Sequence, residues 1–247
     1  LRPPTVCIGS MFWNSSKRGD LWRYYEQAKA LDYPAEYLRF CLVEGNSDDD
    51  TFQRLQQMAA ELPYVEVAKF DAPRAPSGYA EITPERLARV SVVANRAINM
   101  ALLDGPCDYF LWLESDLIWG SELLQNLLET KDIFSDGDIT APLVLVHDSD
   151  TFYDVWAFRQ GYEQVNRQGG TYGPGCFNWE PPYHPCVSLD NPFEVDSAGT
   201  CLLIPAATLR EGVRFTSDEA IVGLCKMATA RGHMIWVDPE VIVWHPR

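Results

Sequence analysis

The chain has 247 residues, 47% of them apolar, and a formal net charge of −15. That length and apolar content suit one large domain with a single core. The excess of acid repels phosphate backbones and anionic lipid surfaces, which excludes general nucleic-acid or membrane-surface binding and leaves nucleic acid at most a locally held partner.

No apolar run reaches the roughly 18 residues of a membrane span, and Leu1-Arg2-Pro3-Pro4 lacks the basic-then-apolar layout of a signal peptide. A soluble, cytoplasmic protein is the expectation. The alternative is a lumenal domain freed from its anchor, because the chain starts at Leu1 and not at Met. Of the seven cysteines, Cys7, Cys41, Cys107, Cys201 and Cys225 lie in or beside apolar runs and read as buried thiols. Cys176 and Cys186 share one Gly/Pro-rich loop, where pairing is open.

Short apolar runs alternate with helical patterns, the order expected of an α/β domain with a mostly parallel central sheet and helices on both faces. Thr5 to Phe12 predicts the first strand and Asp20 to Leu31 a helix. Tyr37 to Val43 predicts the second strand. Asp50 or Thr51 can cap the next helix, in which Phe52, Leu55, Ala59 and Leu62 recur at helical spacing. Val65 to Phe70 predicts a third strand. Thr83-Pro84-Glu85 is a capped helix start, followed by apolar positions at intervals of three and four through Ala101.

Tyr109 to Leu113 is apolar throughout and therefore central, and it stops at Glu114-Ser115-Asp116. Beyond it come a helix from Ser121 to Glu129, a strand from Ile139 to Val146 and an aromatic stretch from Phe152 to Phe158. A loop from about Asn166 to Pro192 carries Gly169, Gly170, Gly173 and Gly175, and its length marks it as functional. Strand-like Ala198 to Ile204, a helix from Ser217 to Arg231 and a strand from Met234 to Trp244 close the chain.

Ligands of open α/β sheets bind outside the carboxyl ends of the strands. Glu114 and Asp116 stand there, and carboxylate oxygens suit a hard divalent ion such as Mn²⁺ or Mg²⁺. An anionic enzyme that binds a nucleoside diphosphate needs such an ion to invert the local potential. The same two acids also suit a solvated turn. Thr216-Ser217-Asp218-Glu219 reads as a capping box opening a helix.

The run from Cys107 to Asp116 resembles the strand of the GT-A glycosyltransferases that ends in an Asp-x-Asp motif, here with Glu in first place. Arg89 to Asn99 is similar to the helix before that motif, and Val195 to Thr200 followed by Leu202-Leu203-Ile204 to the next strand. Phe152 to Arg159 is similar to a segment of fungal capsule and cell-wall mannosyltransferases. The resemblance runs from Thr5 to His245.

It implies a GT-A (nucleotide-diphospho-sugar transferase) fold in one domain, with residues 1–116 binding the nucleotide sugar and 117–247 the acceptor. It implies transfer of a hexose from a UDP- or GDP-sugar to a hydroxyl of a glycan or glycoconjugate. Asp116 would bind the metal, Glu114 would lie near the ribose or a metal-bound water, with Ser115 between them, and His245 would return to the metal. Ser10, Glu44 and Arg96 would contact the donor. Asp218 or Glu219 would supply a carboxylate to the acceptor hydroxyl. Apart from the resemblance, Asp154, Trp156 and Arg159 are candidates to line the sugar pocket, although aromatic residues at alternating positions are more often core, and His184, by its place in the long loop, is a candidate acceptor contact.

Three other readings stay open: the same chemistry on a hydroxymethylated DNA base, a nucleotidyltransferase, and a sugar-nucleotide-binding protein without activity. The second lacks its Gly-rich basic loop, which only Gly9-Ser10 and Lys17-Arg18-Gly19 approach.

Overall fold

The computed structural model describes residues 2–71, 83–149, 153, 157–160, 163–164 and 191–246. The expected positions Asp154, Trp156 and His184, the cysteines 176 and 186, and most of the Gly-rich loop lie outside the described residues.

Strands β1 (Val6–Phe12), β2 (Leu38–Glu44), β3 (Val65–Lys69), β4 (Tyr109–Leu113) and β5 (Ile139–Val146) fall within a residue of their predicted spans. Two short strands, β6 (Arg159–Gln160) and β7 (Glu163–Gln164), form a separate antiparallel pair, and Arg159 also bridges Ser197. Then come β8 (Phe193–Val195), β9 (Cys201–Pro205) and β10 (Ile235–His245). The main sheet has the order β3-β2-β1-β4-β9-β5-β10-β8. Pairing is parallel from β3 through β4 and between β5 and β10. Strand β9 runs antiparallel between β4 and β5, and β8 antiparallel on the edge.

Among the described residues the helices are α1 (Ser15–Arg18), α2 (Asp20–Ala30), α3 (Thr51–Glu61), α4 (Pro84–Leu103), α5 (Leu123–Lys131), α6 (Ala206–Arg210) and α7 (Ala220–Thr229), with a 3-10 turn at Ala35–Tyr37. They cover both faces of the sheet. Phe110 and Trp112 of β4 join the α4 and α7 core, while Leu111 and Leu113 join the core under α2, α3 and α5. A strand buried on both faces has no polar side to show, which is why β4 is apolar at every position. Cys7, Cys41, Cys107, Cys201 and Cys225 are buried thiols, as read from their neighbours.

Helix starts follow the sequence less closely. Thr83 caps α4 as expected, accepting from the Arg86 amide at 3.2 Å. Asp50 precedes α3 without a capping bond, because its carboxylate is taken by Ser16 Oγ and the Arg54 guanidinium; Asp49 accepts from the Thr51 amide instead. The last helix starts at Ala220, three residues later than predicted. Thr216 and Ala220 exchange both backbone hydrogen bonds, and Ala220 stands at φ 47°, so the chain makes a tight turn there before it coils. Among the described residues no helix is long and apolar enough to cross a membrane.

Candidate metal and nucleotide site

Where β4 ends, the chain is anchored on three sides. The Glu114 amide donates to Thr200 O at 2.9 Å, beside the start of β9. From α2, Arg23 Nη2 donates to Asp116 O at 2.8 Å and Gln27 Nε2 to Leu117 O at 3.2 Å. Ile118 and Trp244 exchange backbone bonds of 2.7 and 2.9 Å, which ties the loop after β4 to the end of β10. Arg23 is in turn held by buried Asp20, which also pairs with Arg18 at 2.8 Å. Sequence reasoning missed this brace, because an acid between two arginines at a helix start looks like ordinary first-turn chemistry.

Ser10 belongs to the same scaffold. Its side chain is fully buried, donating to Leu113 O at 2.5 Å and sharing a 2.7 Å contact with the Tyr24 hydroxyl. The expected donor contact therefore does not come from the Ser10 hydroxyl, which holds β4 against β1 and α2.

Asp116 and His245, 129 positions apart, meet with Oδ2 and Nε2 3.2 Å from each other. A bulge in β10 makes this possible. Asp238 pairs with Pro142 and the next pair is Ile242 with Leu143, so Pro239, Glu240 and Val241 are extra. An odd insertion reverses which residues face which side. Ile235 and Val237 face the α4 and α7 core, whereas Val241 and Val243 face the other one. His245 follows Val243 onto that side and stacks on Tyr153 with ring centroids 3.7 Å apart. Asp238 clamps the bulge, accepting from Thr130 Oγ1 at 2.5 Å and from the Glu240 amide at 2.9 Å. Asp238→Ala is expected to lose about 1–3 kcal/mol in urea unfolding.

Among the described residues no three His, Cys, Asp or Glu side chains stand close enough to hold an ion alone. Two nevertheless fit one as a pair. Nδ1 of His245 lies 2.6 Å from Pro246 O, a contact that requires Nδ1 to carry a proton and turns Nε2 to Asp116. A neutral Nε2 and a carboxylate oxygen are both acceptors, so at 3.2 Å they need a proton or a cation to share. Adjacent ligands of an octahedral ion at roughly 2.1 Å are themselves about 3 Å apart. Mg²⁺ and similar ions commonly take one or two protein ligands and complete their shell with phosphate oxygens and water. Burial would lower the pKa of His245, but the Asp116 hydrogen bond and charge, the Pro246 carbonyl and the Glu114 charge hold it above the ordinary value. Asp116 and Ser115 are buried, and Glu114 is half-buried.

A second constellation lies at the ends of β1 and β2. Phe12 and Glu44 are register partners at the ends of the two strands, and Trp13 is the next residue after β1. Glu44 is 1% exposed; its Oε1 accepts from the Ser47 amide, while Oε2 takes no hydrogen bond among the described residues. The buried Trp13 indole nitrogen is likewise without an acceptor. Arg89 of α4 lies 5.4 Å from the Trp13 ring centroid, and desolvation and the like charge of Arg86 lower its pKa while Glu44 raises it. Trp13 and Arg89 were missed because their proximity depends on α4 packing across the sheet. Arg96, the expected residue, is exposed about two turns further along α4.

The acidic turn before α7 is held by α4. Asn95 donates to Phe215 O at 2.9 Å and accepts from its amide at 3.0 Å. Thr216 Oγ1 accepts from the Glu219 amide at 3.3 Å, which is half of the predicted capping box. Glu219 does not complete it, since its carboxylate is bound by Lys226 Nζ at 2.6 and 2.7 Å. Asp218 is exposed and its pKa is lowered, chiefly by the Thr216 hydroxyl. Thr216 packs so close to α7 that a Cβ on Gly223 would sit 1.8 Å from its Oγ1. Gly223→Ala is therefore expected to displace this turn and cost about 1–3 kcal/mol in thermal or urea unfolding. Arg159 is buried and bridges Ser197 through its backbone.

No protein-family model matches the chain. No curated protein matches it in sequence either. Solved structures do match in fold. TarS from S. aureus (residues 1–349) has a TM-score of 0.61 at 12% identity, over 98% of this chain and 60% of that one. The mannosyltransferase PcManGT from Pyrobaculum calidifontis, in complex with GDP-Man and Mn²⁺, has 0.62 at 12% over 99% and 57%. GalNAc-T7 with UDP, GalNAc and Mn²⁺ has 0.64 at 13% over 98% and 43%. The chain thus spans 60% or less of each of these chains. It has the fold of the GT-A glycosyltransferases.

Proposed function

We propose that the chain is a metal-dependent glycosyltransferase that moves a hexose from a nucleoside-diphosphate sugar to a hydroxyl of a glycan or glycoconjugate. The observation that carries this reading is the contact of Asp116 with His245 at the end of the central strand. The Mn²⁺ and nucleotide or nucleotide-sugar ligands in the PcManGT and GalNAc-T7 structures support it by analogy of fold.

Asp116 and His245 would hold Mn²⁺ or Mg²⁺, with Glu114 beside them on the ribose or a bound water. When present, the ion neutralises charge on the departing diphosphate. Residues 1–116 would bind the donor and 117–247 the acceptor. Asp218 is better placed than Glu219 to accept a hydrogen bond from the acceptor hydroxyl, since Lys226 already occupies Glu219. A lowered pKa makes Asp218 suited to orient that hydroxyl. Arg159, Asp154, Trp156 and His184 complete the proposed sugar and acceptor contacts.

Among the described residues the buried Trp13 indole N–H and Glu44 Oε2 lack hydrogen-bond partners, a donor and an acceptor of the kind that the N–H and C=O groups of a pyrimidine such as uracil would take. Guanine adds an amino group that requires a further acceptor, and Glu44 Oε1 already serves Ser47. UDP-sugars are thus the favoured donors over GDP-sugars. A donor screen with Mn²⁺ and mixed glycan acceptors is expected to release UDP and to lose that release in EDTA. Release of pyrophosphate, or binding of every donor without turnover, would count against the reading.

A further inference from the structure

The groove between α2 and α3 plays no part in the site just described, yet it combines an open aromatic wall with a hydrogen-bonding one. Its cavity measures about 290 Å³. The floor is apolar, made by Leu21 and Met58, both buried. On one side Trp22 and Tyr25 stand together with ring centroids 5.5 Å apart at 37°. Trp22 is 66% exposed, the most open aromatic side chain among the exposed large hydrophobics. Opposite, Arg54, Gln57 and Glu61 line α3 at helical spacing.

The polar wall is braced. Arg54 Nε donates to Asp50 at 2.8 Å, Ser16 Oγ to the other oxygen of Asp50, and the Tyr25 hydroxyl to Glu61. Lys29 lies 4.8 Å above the Tyr25 ring. Lys29 also pairs with Glu26 at 3.8 Å, so three carboxylates outnumber the two cations around the groove, which therefore has no net attraction for an anion. A protein helix would need a broader apolar floor than two side chains. What remains is a neutral ligand with one apolar face and many hydroxyls. The C–H face of a pyranose suits the indole, and vicinal hydroxyls suit the planar amide, guanidinium and carboxylate groups of α3.

We propose that this groove binds a neutral saccharide, away from the reaction centre. Arg23 and Gln27, on the neighbouring face of α2, hold the backbone of Asp116 and Leu117. The groove and the metal site are thus separated by one helix, roughly 10 Å across. An acceptor chain of several sugar units spans both. That catalytic consequence rests on the glycosyltransferase reading; the binding itself does not.

The test is binding of chitohexaose, α-1,6-mannohexaose and maltohexaose, each followed by NMR of the indole N–H signals in EDTA without donor. At least one probe is expected to shift the Trp22 signal, with affinity lowered roughly tenfold or more in Trp22→Ala and kept in Trp22→Tyr. Gln57→Ala is expected to weaken the same probe. The proposal is overturned if no probe shifts that signal, or if binding survives Trp22→Ala unchanged. Because Trp22 is exposed, an unaltered thermal midpoint in the variant separates lost binding from lost fold. Without donor or metal, the outcome is independent of whether transfer occurs. In the transfer assay Trp22→Ala should raise KM for the hexasaccharide and leave kcat and a monosaccharide acceptor unaffected.

Discussion

Replacing Asp116 by Asn is expected to lower kcat by at least about a hundredfold, the scale of a lost metal contact to a developing phosphate charge. The substitution keeps size and removes charge. The amide NH2 of Asn can donate to neutral His245 Nε2, and the brace from Arg23 acts on the main chain, which the change leaves intact. The thermal midpoint should accordingly stay near that of the parent. His245→Ala should act in the same direction but less strongly, since a carboxylate offers the ion more charge than imidazole. In both variants the Mn²⁺ concentration for half-maximal turnover should rise. Turnover and metal dependence unchanged in Asp116→Asn would remove the proposed metal role altogether.

Gly9→Val is expected to be the most damaging single change to stability. Gly9 sits in β1 between β2 and β4, and a Cβ there would lie 2.2 Å from Cζ of Phe110 and 3.3 Å from Cβ of Ala97. Phe110 is fully buried under α4 and has nowhere to move without lifting the helix. Overpacking of this kind costs about 3 kcal/mol, equivalent to a fall of roughly 6–12 °C in Tm for a chain of this size. Gly45→Ala is the control. Its nearest neighbours would be Phe12 O at 3.6 Å and Val93 Cγ2 at 3.8 Å, ordinary contact distances. Calorimetry that found the two variants equally stable would mean that the sheet and α4 are less tightly packed than described.

Several parts of the candidate site are legible without coordinates. Glu114 and Asp116 follow an apolar run too short for a buried helix, so a strand end and its ligand position can be read directly. His245 was expected at the metal only through resemblance to a family. The sequence around it shows a histidine closing an apolar strand, a pattern shared with many structural histidines. Ser10 illustrates the opposite failure. Its position after the first strand suggests donor contact, but its hydroxyl faces inward, where Tyr24 and the Leu113 carbonyl satisfy it. Whether a side chain of a strand faces the cleft or the core depends on what covers it, and α2 covers Ser10. The capping box at Thr216 misled in a similar way. Its spacing is right, yet Lys226 claims the carboxylate that would have closed it.

The sequence by itself determined the α/β class, most strand positions and the acidic end of β4, because burial on two faces leaves a period and composition that local reading detects. It did not determine that β9 inserts antiparallel between β4 and β5, since pairing partners are chosen across the chain by which apolar faces fit together. Nor did it determine that His245 meets Asp116. That contact needs Pro239, Glu240 and Val241 to bulge out of β10 and exchange its two faces, and the bulge is fixed by Asp238 through Thr130 on another element. A regular strand of the same residues would have turned the imidazole to the opposite side of the sheet.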